Sequence, residues 1–126
     1  MLRILHIEDN LEDALLIEQS VLNEGIEAQF TVVRDEAQFR SALAHNEFDV
    51  VLADSGVPGF NGFKAIKVVR EKFPGISYIC LSGFDDQRYI EKNLAAGAND
   101  YICKSNFSRL FPILRQEQAK AKSSNP

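Results

Sequence analysis

Short apolar runs alternate along the chain with longer stretches whose apolar residues recur at helical spacing. Leu2 to Ile7 is the first run, and it ends at an acidic pair, Glu8 and Asp9. Leu11, Ala14, Leu15, Ile17, Val21 and Leu22 then form the stripe of an amphipathic helix that Gly25 stops. Ala28 to Val33 reads as a second strand. Asp35 with Gln38 has the form of a capping box, and Phe39, Ala42 and Leu43 make the apolar face of a second helix.

Phe48 to Ala53 is predicted as a third strand ending at Asp54, followed by a loop with Gly56, Pro58, Gly59 and Gly62. Phe63, Ile66, Val69, Arg70 and Phe73 keep helical spacing until Pro74-Gly75 breaks it. Ile76 to Leu81 is a fourth strand. Asp85 or Asp86 can cap a fourth helix, with Tyr89, Ile90 and Leu94 inward and Gly97 at its end. Tyr101 to Cys103 is a short fifth strand. Pro112 interrupts the last apolar segment, and proline inside a helix costs about 3 kcal/mol. A separate turn over Phe107 to Leu110 is therefore expected, with the main helix starting near Phe111.

Strands alternating with helices imply a parallel sheet with helices on both faces. Strands buried on both faces read as unbroken apolar runs, as Phe48 to Ala53 and Ile76 to Leu81 largely do. At 126 residues the chain has room for one sizeable core. The predicted organisation is one domain over residues 1–122 and a frayed tail over 123–126.

Composition narrows the function classes. The formal net charge of −4 and the scatter of Lys and Arg argue against direct nucleic-acid binding. Neither Cys80 nor Cys103 belongs to a CxxC pair, and both sit in apolar runs, so two buried free thiols are expected. No signal peptide or membrane-length apolar run is seen, so a cytoplasmic location and no membrane partner are expected.

Polar residues gather at the strand ends. Ligands of doubly wound sheets bind beyond the carboxyl ends of the strands, where the strand order reverses. In a flavodoxin-like order Glu8, Asp9 and Asp54 converge at that reversal. Like charges so close raise one another's pKa, and a hard cation such as Mg²⁺ relieves the repulsion with oxygen ligands. A carboxylate there can also act as a nucleophile towards phosphorus, since aspartyl phosphate is an established covalent intermediate. Ser82 and Lys104 end the fourth and fifth strands and offer a hydroxyl and an ammonium to the charge on a phosphoryl group. Each residue alone also fits a plainer part: Asp9 or Ser82 as a helix cap, Lys104 as a surface charge, Tyr101 as a core aromatic. His6 fits a satisfied core histidine, and His45 and the Lys120–Lys122 pair fit solvated helix positions.

Taken together, Ile4 to Asn10, Asp54 to Gly62 with Pro58, Ser82-Gly83, and Gly97 to Tyr101 followed by Lys104 resemble the receiver domains of bacterial response regulators in two-component signalling. The resemblance runs through nearly the whole chain in the right order. It implies a (βα)5 fold with a five-stranded parallel sheet in the order 2-1-3-4-5. It implies Asp54 as phosphoacceptor and Glu8, Asp9, Asp54 and the Gly56 carbonyl as ligands of Mg²⁺ (or Mn²⁺). Ser82 and Lys104 are implied as the grip on the phosphoryl oxygens and Tyr101 as a switch aromatic. The implied donor is a histidine kinase or histidine phosphotransfer protein. The implied output is a downstream effector domain or protein, reached through the face of the fourth helix, fifth strand and fifth helix, which is also compatible with a homodimer. Such a domain is no enzyme beyond its own phosphorylation and dephosphorylation.

Two departures from the family pattern stand out. Ser105 follows Lys104 where the family usually has proline, commonly in a cis linkage, and either isomer is left open. Gly56 and Phe84 occupy the two variable positions that flank the phosphoryl group. Neither has a polar side chain to orient water, so slow dephosphorylation is expected. Three other functions compete: a receiver-like interaction module that takes no phosphate, a haloacid-dehalogenase-type phosphatase and a flavodoxin. The phosphatase would need an Asp where Gly56 stands, and the acidic run Glu8 to Asp13 would repel a flavodoxin's cofactor phosphate.

Overall fold

A computed structural model describes residues 1–54, 56–57, 60–83 and 86–123, with the backbone alone for 122 and 123. Pro58, Gly59, Phe84, Asp85 and the tail 124–126 lie outside the described residues. The strands are β1 (Leu2–Ile7), β2 (Ala28–Val33), β3 (Val50–Asp54), β4 (Ser77–Ser82) and β5 (Asp100–Cys103). The helices are α1 (Leu11–Asn23), α2 (Glu36–His45), α3 (Gly62–Lys72), α4 (Gln87–Ala96) and α5 (Leu110–Ser123). A 3-10 turn, Lys104–Arg109, joins β5 to α5. All paired strands are parallel, in the order β2-β1-β3-β4-β5.

Alternation along each strand divides the core in two. Leu5, Ile7, Val51, Ala53, Tyr78 and Cys80 pack with Phe39, Ile66 and Val69 of α2 and α3. Ile4, Val50, Leu52, Ile79, Leu81 and Ile102 pack with Ile17 and Val21 of α1 and Leu110 and Leu114 of α5. Central strands sandwiched between two helical layers must be apolar on both faces, which accounts for the unbroken runs.

Several element details differ from the sequence reading. β3 starts at Val50; just before it, Asp49 turns its carboxylate to the Arg3 N–H at 2.8 Å and to the Arg3 guanidinium. It ends on Asp54, which pairs with Leu81. β4 likewise runs one residue later, to Ser82. On α1 only Ala14, Ile17 and Val21 are buried, while Leu11, Leu15 and Leu22 are exposed at the flank of the stripe. On α4 Tyr89 and Ile90 pack against the core as expected, but the buried position belongs to Asn93. It can be buried because its amide donates to the Tyr89 carbonyl at 2.8 Å and its Oδ1 accepts from Cys80 Sγ at 3.3 Å. Leu94, one position round the helix, points outward. Cys80 is buried as expected, but Cys103 is partly exposed, with Sγ 3.1 Å from Ser105 Oγ. The separate turn before α5 covers residues 104–109, and Pro112 falls in the first turn of α5. Its missing N–H there is one of the donors a helix start leaves unpaired anyway.

Arg70 locks the far end of the sheet. Its Nε and Nη2 donate to the Gly97 carbonyl at 3.0 and 2.8 Å, and the guanidinium also reaches the carbonyls of Ile76 and Pro74 and Asn99 Oδ1. Gly97 ends α4 at φ 121°, and a Cβ there would meet Ile66 Cγ2 at 3.2 Å, so glycine is required. Arg70→Ala strands several carbonyls at once. It is expected to lower the unfolding free energy by about 2–3 kcal/mol, read as an earlier midpoint in a urea titration with an unchanged slope.

Candidate functional site

The carboxyl ends of β1, β3, β4 and β5 deliver Glu8 and Asp9, Asp54, Ser82 and Lys104 side by side. The registers require it: Ile7 pairs with Ala53, Asp54 with Leu81, and Ser82 with Cys103. The crevice lies where β1 and β3 part in chain order. Asn10, not Asp9, caps α1, its Oδ1 accepting from the Glu12 and Asp13 N–H groups at 3.0 and 3.1 Å. Asp9 is therefore spared capping duty and joins the crevice.

One oxygen each from Glu8, Asp9 and Asp54 lie within 4.8 Å of one another. Opposite ligands around Mg²⁺ stand about 4.2 Å apart, so small side-chain rotations would close the set. Three hard oxygen donors of negative charge fit such a cation. Gly56 lies beside them, its N–H donating to Asp54 Oδ1 over a long 3.4 Å.

Lys104 closes the crevice from the β5 side. Its Nζ donates to Glu8 Oε1 at 2.8 Å and to Asp13 Oδ2 at 3.0 Å, and lies 3.4 Å from Asp54 Oδ1. No cis peptide bond occurs among the described residues, so Lys104–Ser105 is trans and Lys104 reaches the crevice from that backbone. Asp13 is a member of the cluster that the sequence reading passed over. Its signal was its place in the first turn of the helix leaving the crevice, four residues after Asp9.

Ser82 is fully buried and shares a hydrogen bond with Tyr101. The Tyr101 ring is buried too and meets Tyr89 edge-on at 6.1 Å. Burial raises the Tyr101 hydroxyl's pKa, while the Ser82 hydrogen bond opposes that rise. Phe84, expected from the sequence to flank a phosphoryl group, lies outside the described residues.

The charges are strongly perturbed. Burial first, then contact with Asp54, pushes the Glu8 carboxyl up to about 7 against the pull of Lys104. Burial alone would lower Lys104, but its bonds to Glu8 and Asp13 and the charge of Asp54 outweigh it and keep the ammonium protonated. His6 is fully buried, and neither ring nitrogen has a partner among the described residues, contrary to the satisfied histidine expected. Burial, then the charge of Lys104, pushes it down to about 4.

These two shifts oppose each other in stability. The raised Glu8 contributes stability that is full below its unfolded value and lost as pH rises through about 7. The lowered His6 contributes stability that is present above its unfolded value and lost as pH falls through about 4. The metal-free protein is therefore expected to show a nearly flat stability profile between these values. His6→Leu is expected to unmask Glu8: denaturation at fixed pH should show stability falling by about 2–3 kcal/mol from pH ~4.5 to ~7.5.

These features define a doubly wound α/β domain with a crevice of three carboxylates and one ammonium at its topological reversal. The sequence profile of the response regulator receiver domain matches residues 4–115, and the chain belongs to that family. It is 29% identical over 125 residues to the transcriptional regulatory protein PcoR of Escherichia coli, covering 98% of this chain and 54% of that protein. The chain spans about half the length of curated relatives it matches. The receiver domain of the sensor histidine kinase PA1611 from Pseudomonas aeruginosa, solved with a magnesium ion in its active-site cleft, is 28% identical. It superposes with a TM-score of 0.76 over 91% of this chain and 95% of that one. The signal receiver domain of a DNA-binding response regulator from Colwellia psychrerythraea shares the fold at 24% identity, with a TM-score of 0.83 over 92% of this chain and 97% of that one. No helix among the described residues is long and apolar enough to cross a membrane.

Proposed function

We propose that this domain takes a phosphoryl group onto Asp54 from a phosphohistidine of a histidine kinase or phosphotransfer protein. The observation that carries the reading is the gathering of Glu8, Asp9 and Asp54 oxygens within 4.8 Å, with Lys104 Nζ 3.4 Å from Asp54. An Asp54 carboxylate oxygen attacks phosphorus, the P–O bond forms as the P–N bond breaks, and the donor imidazole leaves with the electron pair. Mg²⁺ held by Glu8, Asp9, Asp54 and the Gly56 carbonyl would offset the negative charge on the phosphoryl oxygens. Lys104 and Ser82 would meet those oxygens from the other side. A Ser82 hydroxyl that turns to those oxygens would alter the hydrogen bond it shares with Tyr101, and that change would carry the signal to the α4–β5–α5 face. A phosphoryl group brings a charge of about −1.5 to −2, enough to bias two pre-existing arrangements. The regulators among its relatives support an effector domain or protein as the receiver of that signal.

Beryllofluoride, a mimic of the acyl phosphate, tests the site. Together with Mg²⁺ it is expected to raise the melting temperature by roughly 5 °C at saturation, and neither component alone should do so fully. No shift with both present would contradict the reading and favour a phosphate-independent interaction module. A phosphoryl group on Asp54 is expected to last minutes or longer, because Gly56 offers no side chain to orient water. Decay within seconds on the isolated phosphoprotein would contradict that.

A further inference from the structure

Lys104 is held by three carboxylates, and Asp13 has no part in the reading above. Asp13 sits in the first turn of α1, its N–H fixed by the Asn10 cap at 3.1 Å. Its Oδ2 accepts from Lys104 Nζ at 3.0 Å. It is not among the residues whose oxygens gather within 4.8 Å, so it stands outside the candidate metal set. An ammonium has three donors and no acceptor. Here the two short bonds, to Glu8 and Asp13, draw it towards the α1 side, and Asp54 stays at 3.4 Å.

A cation entering the crevice would change this balance. It would neutralise Glu8 and Asp54, the two carboxylates that share Lys104 with Asp13, and it would repel the ammonium. With Asp13 present, Lys104 keeps one charged partner while yielding the other two. Without it, the ammonium would have to return to water, and the flexible side chain would lose its fixed position.

We propose that Asp13 is a positioning residue for Lys104, retaining the ammonium at the crevice mouth when a divalent cation takes over Glu8 and Asp54. The proposal rests on the reading of the crevice as a Mg²⁺-assisted phosphoacceptor site. It makes cation affinity depend on Asp13 through Lys104, not through the charge of Asp13 alone. The Asp13 side chain is 44% exposed, so its charge is screened by water and its replacement opens no cavity.

Calorimetric titration with MgCl₂ tests this in the wild type, Asp13→Asn, Asp13→Glu, Lys104→Met and the Asp13→Asn/Lys104→Met double variant. Asp13→Asn is expected to weaken Mg²⁺ binding roughly fivefold, and the same change in the Lys104→Met background by less than about twofold. Asp13→Glu restores the carboxylate and is expected to bring back most of the affinity. An equal loss in both backgrounds would show Asp13 acting as a bare charge and overturn the proposal. So would an Asp13→Asn chain that binds Mg²⁺ as the wild type does. Absence of binding by the wild type would overturn the underlying reading as well, whereas normal wild-type binding with an unaffected Asp13→Asn chain overturns the role of Asp13 alone.

Discussion

Asp54→Asn is expected to abolish acceptance of a phosphoryl group from acetyl phosphate and, at the same time, to make the metal-free protein more stable. The amide offers no nucleophilic oxygen anion, so labelling should fall at least ~100-fold, below detection. The gain in stability follows from the crowding of the crevice. Asp54 stands against a fully buried Glu8 whose carboxyl is held up near 7, and removing that neighbouring charge relieves Glu8. Lys104 loses only its longest contact, at 3.4 Å, and keeps Glu8 at 2.8 Å and Asp13 at 3.0 Å. The net gain should be about 1–2 kcal/mol, read as a higher urea midpoint above pH ~7, where Glu8 is ionised. A variant that loses labelling with no gain would mean that the carboxylates are not crowded.

Lys104→Met should act in the opposite sense. Taking away one partner of a buried ion pair typically costs about 3–5 kcal/mol, because the remaining charge is left uncompensated. Glu8 can escape part of that cost by taking a proton, so the expected loss is about 2–3 kcal/mol at pH ~8. It should shrink as the pH is lowered towards 5, where Glu8 is protonated with or without Lys104. Mg²⁺ should recover much of the loss, since a cation in the crevice replaces the missing positive charge. Denaturation at two pH values, with and without MgCl₂, checks all three parts. A loss independent of both pH and Mg²⁺ would place the contribution of Lys104 in packing of its aliphatic stem.

Much of the fold was legible because strand ends and helix stops carry their own chemistry. Glu8, Asp54 and Ser82 stood out as polar residues closing apolar runs, and the sheet register brings those ends together. Periodicity was less informative about which side of a stripe is buried. It grouped Leu11, Leu15 and Leu22 with Ala14, Ile17 and Val21, although only the latter three face the sheet. The spacing of α4 favoured Leu94 over Asn93, because a polar residue becomes affordable inside only when specific partners, here Cys80 and the Tyr89 carbonyl, meet it. The reach of Lys104 to Asp13 joins residues ninety-one positions apart. It depends on how α1 leaves β1, which no local pattern encodes. The trans Lys104–Ser105 bond was equally beyond the sequence, since serine permits either reading of a position where proline is usual.

Phosphoryl signalling by this domain would require a covalent bond at Asp54. Mixing the protein with acetyl phosphate and MgCl₂, and reading the intact mass and then the peptide that carries the adduct, tests it most directly. One phosphoryl mass is expected, dependent on Mg²⁺ and confined to the peptide containing Asp54. A chain that stays unmodified, or carries its phosphoryl group on another residue, would contradict it.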